Sequence, residues 1–97
     1  MHTPTDCASL ADVRDAIDRI DEQIIALIGL RSDYVRAAAR FKTSESDVAA
    51  PERQAAMLQV RREWAQREGL SPDFVEKLYR DLIAWFISRE LEHWKTR

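Results

Sequence analysis

The sequence predicts an all-α fold, on three observations. Apolar residues recur at helical spacing, glycine and proline are confined to a few punctuating positions, and no segment alternates as a half-buried strand does. Only two glycines and three prolines occur in 97 residues. Hydrophobic residues make up 45% and charged residues 33%, the balance of a charge-laced helical protein rather than a disordered chain. A chain this short buries a modest core alone, and a helical dimer sharing one core adds stability.

The first element runs from Leu10 to about residue 42. Leu10, Val13, Ile17, Ile20, Ile24, Leu27, Ile28, Val35 and Ala38 recur at helical spacing, and Gly29 is the one glycine or proline in the stretch. The spacing predicts a helix roughly 50 Å long at 1.5 Å per residue. A helix longer than its domain is wide usually packs against a partner chain. The small, polar "TSESDVAAP" (43–51) reads as a loop. Pro51 suits the first turn of a second helix, over about 51–68, which Gly69 stops. Ser71 as N-cap, Pro72 at the first helical position and Asp73 at the positive end of the dipole open a third helix, over about 72–95. There is no internal repeat, so residues 1–97 read as a single domain. The prediction is a three-helix protomer with one long N-terminal helix.

Composition excludes several function classes. The formal net charge of −2 argues against a nucleic-acid binder, which needs a net basic face to neutralise phosphates. No apolar run is long enough to span a membrane. The opening "MHTPTDCASL" lacks a basic segment followed by an apolar one, so no export signal is expected and cytoplasm is the expected location. Cys7 is the one cysteine and has no CxxC or Cys/His set for zinc.

Charges on the apolar stripes are the informative feature. With Arg14 at zero and 100° per residue, Leu10, Ile17 and Ile28 fall at about −40° to −60°. Arg31 falls at about −100° and Lys42 at about −80°, within the stripe, whereas Arg36 and Arg40 fall near +40° and +80°, outside it. In the second helix Arg53 shares a face with Met57, Val60 and Trp64. In the third, Glu90 lies on the stripe of Tyr79, Ile83, Phe86 and Trp94. Snorkelling or interhelical ion pairs account for one such residue. Four cations (Arg14, Arg31, Lys42 and Arg53) against one acid leave a positive surplus, and an unpaired buried charge costs on the order of 3–5 kcal/mol. A small di-acid between the helices answers that surplus through charge-assisted hydrogen bonds of roughly 1.5–3 kcal/mol each.

Nucleophile and metal signals are missing. His2 and His93 stand at the two ends and read as surface residues. Ser44, Ser46 and Cys7 have no evident base, and there is no glycine-rich phosphate loop. An enzyme built this way works by holding its substrate in a reactive conformation and stabilising developing charge.

"LADVRDAIDRIDEQIIALIGLRSDYVRAAARFK", the polar loop, "PERQAAML" and the closing "AWFISRELEHW" together resemble the all-helical chorismate mutase family over nearly the whole chain. The leucine-to-arginine spacing of Leu10 and Arg14, the "IDRID" that follows, Arg31, and Lys42 eleven residues later carry the likeness. Within that family the chain looks closest to the isochorismate-pyruvate lyases of salicylate and siderophore biosynthesis. The resemblance implies an intertwined homodimer with two equivalent sites, Arg14 being donated across the interface to bind a substrate carboxylate. It further implies that Arg31 binds the other carboxylate region, that Lys42 reaches the ether oxygen and carboxylate, and that Arg53 points at the site. Glu90 takes the position, commonly Gln, that hydrogen-bonds the ether oxygen. No cofactor and no metal are implied.

Two departures refine the expectation. Chorismate mutases of this kind carry an Asp three residues before the second-helix arginine and a Glu just after it, both serving the substrate's ring hydroxyl. Ala50 and Gln54 stand there, which agrees better with the lyase branch. A carboxylate at Glu90 would repel the substrate's own carboxylates, whereas a carboxylic acid donates the hydrogen bond that Gln supplies. The expected activity is therefore conversion of isochorismate to salicylate and pyruvate by a pericyclic hydrogen transfer with C–O cleavage. Chorismate mutase activity is the alternative, and a non-catalytic helical dimerisation module is the reading outside enzymes.

Overall fold

The computed structural model describes residues 3–95, with side chains through His93. The readings of His2 as a surface residue and of Trp94 on the last stripe concern side chains outside the described residues. A 3-10 turn at Pro4–Asp6 precedes four α-helices: α1 (Leu10–Ala39), α2 (Glu45–Ala49), α3 (Pro51–Arg67) and α4 (Pro72–Lys95). The chain is all-α among the described residues, with three principal helices of which the N-terminal one is longest. No helix among them is long and apolar enough to cross a membrane. Contacts along the chain divide into two compact units, one ending at Tyr34 and the other beginning at Val35.

The first unit is the 3-10 turn and most of α1. Ser9 opens the helix: its Oγ accepts from the Asp12 N–H (3.2 Å), while the Asp12 carboxylate accepts from the Ala8 N–H (3.0 Å). Both bonds satisfy donors that a helix start otherwise leaves orphaned. No α1 residue is buried. The stripe of Leu10, Val13, Ile17, Ile20, Ile24 and Leu27 stands exposed, Leu10 and Leu27 more than half so.

The second unit begins with the end of α1, which falls three residues earlier than the spacing predicts. Phe41 and Lys42 donate to the Ala38 and Ala39 carbonyls at 3.0 and 3.2 Å, so three-residue turns replace the four-residue ladder. Lys42 is thus not on the helix, and the wheel angle assigned to it does not apply. The cause lies just downstream, where Thr43, Ser44 and Asp47 supply side-chain partners that compete with helix continuation.

The segment read as a loop is also partly helical. Ser44 caps α2 by accepting from the Asp47 N–H at 3.2 Å, and Glu45 and Asp47 sit in its first turn, where the dipole favours acids. Val48 is buried, and α2 packs on α4. Ala50 ends α2 and starts α3 in the left-handed conformation (φ 39°). Pro51 at the first position of α3 is as expected.

α3 ends in a Schellman motif one residue before the predicted stop: Leu70 N–H to Ala65 O at 2.8 Å and Gly69 N–H to Gln66 O at 3.1 Å, with Gly69 at φ +74°. Ser71 then caps α4, accepting from the Phe74 N–H at 3.3 Å.

α3 and α4 form the core of this unit. Met57, Leu58 and Ile83 pack together, with Tyr79 and Ile87 against them. Ala65, Val75 and Phe86 are buried as well. The buried side of α3 shares only Met57 with the predicted stripe: Val60 and Trp64 are exposed, and so is Arg53. Two stripes were available, and the one ending in Ala65 lets the helices close near their connection. The Arg61 guanidinium stacks 4.6 Å from the Trp64 ring centre and 5.6 Å from that of Tyr79. Arg62 bridges to Asp73 (2.9 Å) and Glu76 (3.2 Å) on α4, and Arg80 also holds Glu76 at 2.9 Å. The hydrogen bond from Arg80, ahead of Arg62's, holds the Glu76 carboxyl below its ordinary range, and the Asp73 carboxylate raises Arg62. Such surface pairs add little to stability and serve more to fix the register of the two helices.

Candidate functional site

Of the five polar residues singled out in the sequence, Lys42 and Glu90 meet directly. Lys42 Nζ donates to Glu90 Oε2 at 2.7 Å, with the two side chains 21% and 10% exposed. At that distance the bond is charge-assisted, the geometry of an ammonium against a carboxylate. Glu90 stands one turn beyond buried Phe86, at the edge of the α4 face that packs on the core. Its partner comes from the linker between α1 and α2, 48 residues away.

That linker is held from its far side too. Asp47 on α2 accepts from the Thr43 backbone N–H and from the Thr43 hydroxyl, each at 2.9 Å. The Thr43 backbone bond, followed by the hydroxyl bond, holds the Asp47 carboxyl below its ordinary range. Lys42 therefore lies between its own ion pair with α4 and the Thr43–Asp47 clamp. Buried Val48 carries the clamp down onto α4. Helical periodicity alone does not reveal this support. Its signal was the S-x-x-D spacing of Ser44 and Asp47, a helix-start pattern inside what read as a loop.

Gln54 turns its amide back on the chain: Nε2 donates to the Ala49 carbonyl. It also lines an open groove with Ala84, Ile87, Ser88 and Leu91, bordered by Arg80 and Glu92. Lys42 and Glu90 are not in the groove wall, but Ile87 and Leu91 flank Glu90 along α4. The ion pair thus borders a surface of mixed apolar and amide character.

The arginines are placed differently. Arg53 lies on the first turn of α3 and is exposed, as are Arg36 and Arg40, the latter 4.9 Å from the Phe41 ring centre. In the first unit Arg14 is exposed and Arg31 half-buried. The surplus of buried positive charge inferred from spacing is therefore smaller within the chain than expected, because Arg14 and Arg53 reach solvent. Chemically, the second unit offers an ammonium held at a fixed point by an acid that an anionic ligand could replace. Among the described residues, no group of three or more His, Cys, Asp or Glu is arranged to hold a metal ion. Cys7 places its thiol 3.9 Å from the Thr3 carbonyl, and His93 is exposed.

Comparison with known proteins agrees with this architecture. Residues 13–91 match the family described as chorismate mutase type II. The chain is 52% identical over 95 residues to the isochorismate pyruvate lyase of Pseudomonas aeruginosa, covering 98% of this chain and 94% of that one. It is 37% identical over 73 residues to the T-protein of Haemophilus influenzae, covering 74% of this chain and 19% of the relative. Against the T-protein of Enterobacter agglomerans it is 34% identical over 77 residues, 78% of this chain and 21% of that one. The lyase is thus matched from end to end, whereas the T-proteins share only a fraction of their length. With the long N-terminal helix, the paired α3 and α4, and a family match spanning 13–91, the chain belongs to the chorismate mutase type II family.

Proposed function

We propose that the protein is an isochorismate pyruvate lyase, and the observation that carries the proposal is the 52% identity to such a lyase along nearly the whole of both chains. In the reaction the enolpyruvyl C–O bond breaks while a ring hydrogen passes to the enolpyruvyl methylene carbon. The ring becomes aromatic as salicylate and the side chain leaves as pyruvate. Both products come from the substrate alone, so the residues have only to bind, orient and stabilise charge.

In this reading Arg14, Arg31 and Arg53 bind the substrate carboxylates, and Lys42 stabilises the negative charge that grows on the ether oxygen. Glu90, as a carboxylic acid, donates a hydrogen bond to that oxygen. Support for Lys42 and Glu90 acting together is their 2.7 Å contact. Ala50 and Gln54, where chorismate mutases of this family carry acids for the ring hydroxyl, favour the lyase over the mutase. The active form is an intertwined homodimer in which Arg14 serves the partner's site. Supporting this is the exposed apolar stripe of α1, which a second copy would cover. The resemblance implies no cofactor, and the expected location is the cytoplasm.

The test supplies purified protein with isochorismate and with chorismate and follows salicylate and prephenate separately. A much higher kcat/KM for salicylate supports the lyase. The reverse ratio makes the protein a mutase, and neither product makes it a helical interaction module. Mixing Arg14→Ala and Lys42→Ala subunits tests the shared site: one intact site per mixed dimer restores about a quarter of wild-type activity in a random mixture.

A further inference from the structure

Lys42 lies in the linker between α1 and α2, yet both peptide planes that flank it are tied. On one side the Lys42 N–H donates to the Ala39 carbonyl at 3.2 Å, at the end of α1. On the other, the Thr43 N–H belongs to the same rigid peptide as the Lys42 carbonyl, and it donates to Asp47 at 2.9 Å. With both planes held, the backbone torsions of Lys42 have little freedom and the root of its side chain is set. We infer that Asp47 is a positioning residue for Lys42, acting through Thr43. The inference rests on the reading of Lys42 as the group that meets the departing oxygen, and it names what holds Lys42 there.

The Asp47 carboxylate does more than finish a helix start. In a capping box the third helical residue accepts from the N–H of the cap residue itself. Asp47 is the third residue of α2 and Ser44 is its cap. Its two 2.9 Å bonds nevertheless reach one residue further back, and the same oxygen, Oδ2, accepts from both the N–H and the hydroxyl of Thr43. A charged acceptor makes each of these stronger than a neutral one would.

Asp47 is itself anchored. Its N–H donates to Ser44 Oγ at 3.2 Å, the next residue, Val48, is buried, and α2 packs on α4. At the far end of α2 the Gln54 amide, from α3, donates to the Ala49 carbonyl. Asp47, Val48 and Ala49 in succession thus refer the linker to the α3–α4 core. Without the carboxylate, the Thr43 peptide loses its tie to that core. The flexible four-carbon stem of the lysine would then swing from a moving root.

The test follows Asp47→Ala, Asp47→Asn and Thr43→Val in the whole protein, by steady-state salicylate formation and by amide hydrogen exchange. Misplacing a catalytic group costs up to about 100-fold, so Asp47→Ala should lower kcat about 10- to 100-fold. KM should change less than about threefold, because the loss falls on the transition state. Asp47→Asn keeps an oxygen able to accept both bonds and should recover most of the loss. Thr43→Val keeps the backbone bond and should lose less than about threefold. In a Lys42→Ala background, Asp47→Ala should lower kcat no further, since nothing is left to position. Independently of turnover, the Thr43 amide should exchange about tenfold faster in Asp47→Ala, while those of Met57, Leu58 and Ile83 keep their protection. A loss that persists in full without Lys42 overturns the inference, as does Thr43 protection that Asp47→Ala leaves intact. An unchanged kcat in Asp47→Ala, in a protein that makes salicylate, overturns it as well. If the wild type makes no salicylate, or Lys42→Ala loses none, the site reading fails and the Thr43 exchange rate alone decides the inference.

Discussion

Breaking the Lys42–Glu90 pair from either side should give unequal losses of stability, and the difference follows from burial. Lys42→Met leaves the Glu90 carboxylate, 10% exposed, without its cation. Glu90→Gln leaves an ammonium that is 21% exposed, on a flexible stem able to turn toward water. Two unit charges about 4 Å apart attract by roughly 4 kcal/mol at an effective dielectric of 20, before desolvation is subtracted. Fully exposed pairs measure about 0.2–1 kcal/mol, and breaking a fully buried one costs about 3–5. The intermediate burial places the coupling at about 1–2 kcal/mol, with Lys42→Met the more damaging single change at about 2 kcal/mol. Urea unfolding of wild type, both single variants and the double variant at one fixed protein concentration gives the coupling directly. Losses that add to within about 0.3 kcal/mol would refute the pair as an energetic unit. A costlier Glu90→Gln would refute the argument from burial.

Further predictions concern the site and the turns that position it. Lys42→Ala should lower kcat by about 100- to 1000-fold if its ammonium stabilises the departing oxygen, and steady-state salicylate formation measures it. Gly69→Ala should cost about 1 kcal/mol, seen as a lower urea midpoint. The backbone is at φ +74° and an added Cβ meets nothing within 4 Å, so the loss is conformational alone. Ala50→Gly should raise stability by about 0.5–1 kcal/mol, because Ala50 holds a left-handed conformation (φ 39°) that glycine adopts without strain. Asp47 has a folded carboxyl pKa below its unfolded value. Its contribution is thus present above the unfolded pKa and lost as pH falls through the lower folded one. Asp47→Asn should flatten stability against pH on that acid limb, its loss being greatest near neutrality and vanishing as pH falls through the folded pKa.

The fold was legible where punctuation and periodicity agreed. Pro51, Gly69, Ser71 and Pro72 mark helix ends through fixed backbone preferences, and the structure uses each of them so. The end of α1 was not legible, because the apolar pattern continues past Ala39 while Thr43, Ser44 and Asp47 divert the hydrogen bonds that would continue the helix. The face of α3 failed for a different reason. Periodicity ranks stripes by bulk, and close packing against α4 selects the one that ends in small Ala65. The Lys42–Glu90 partnership illustrates the same limit. Both residues stood out as charges on apolar stripes, yet they meet because Lys42 leaves the helix, where no wheel angle reaches. The charge pattern therefore picked out two residues that do meet, through a partly wrong geometry.

The five residues of α2 are too few to hold a helix by themselves. Its persistence depends on the Ser44 cap, the Thr43–Asp47 clamp and the single anchor of Val48. Its amides should therefore exchange with solvent deuterium through local opening, orders of magnitude sooner than those of α3 and α4 beside Met57 and Ile83. Each such opening would release Thr43 while the α3–α4 core stays intact. The rate at which Lys42 is freed is thereby separated from the rate at which the protein unfolds.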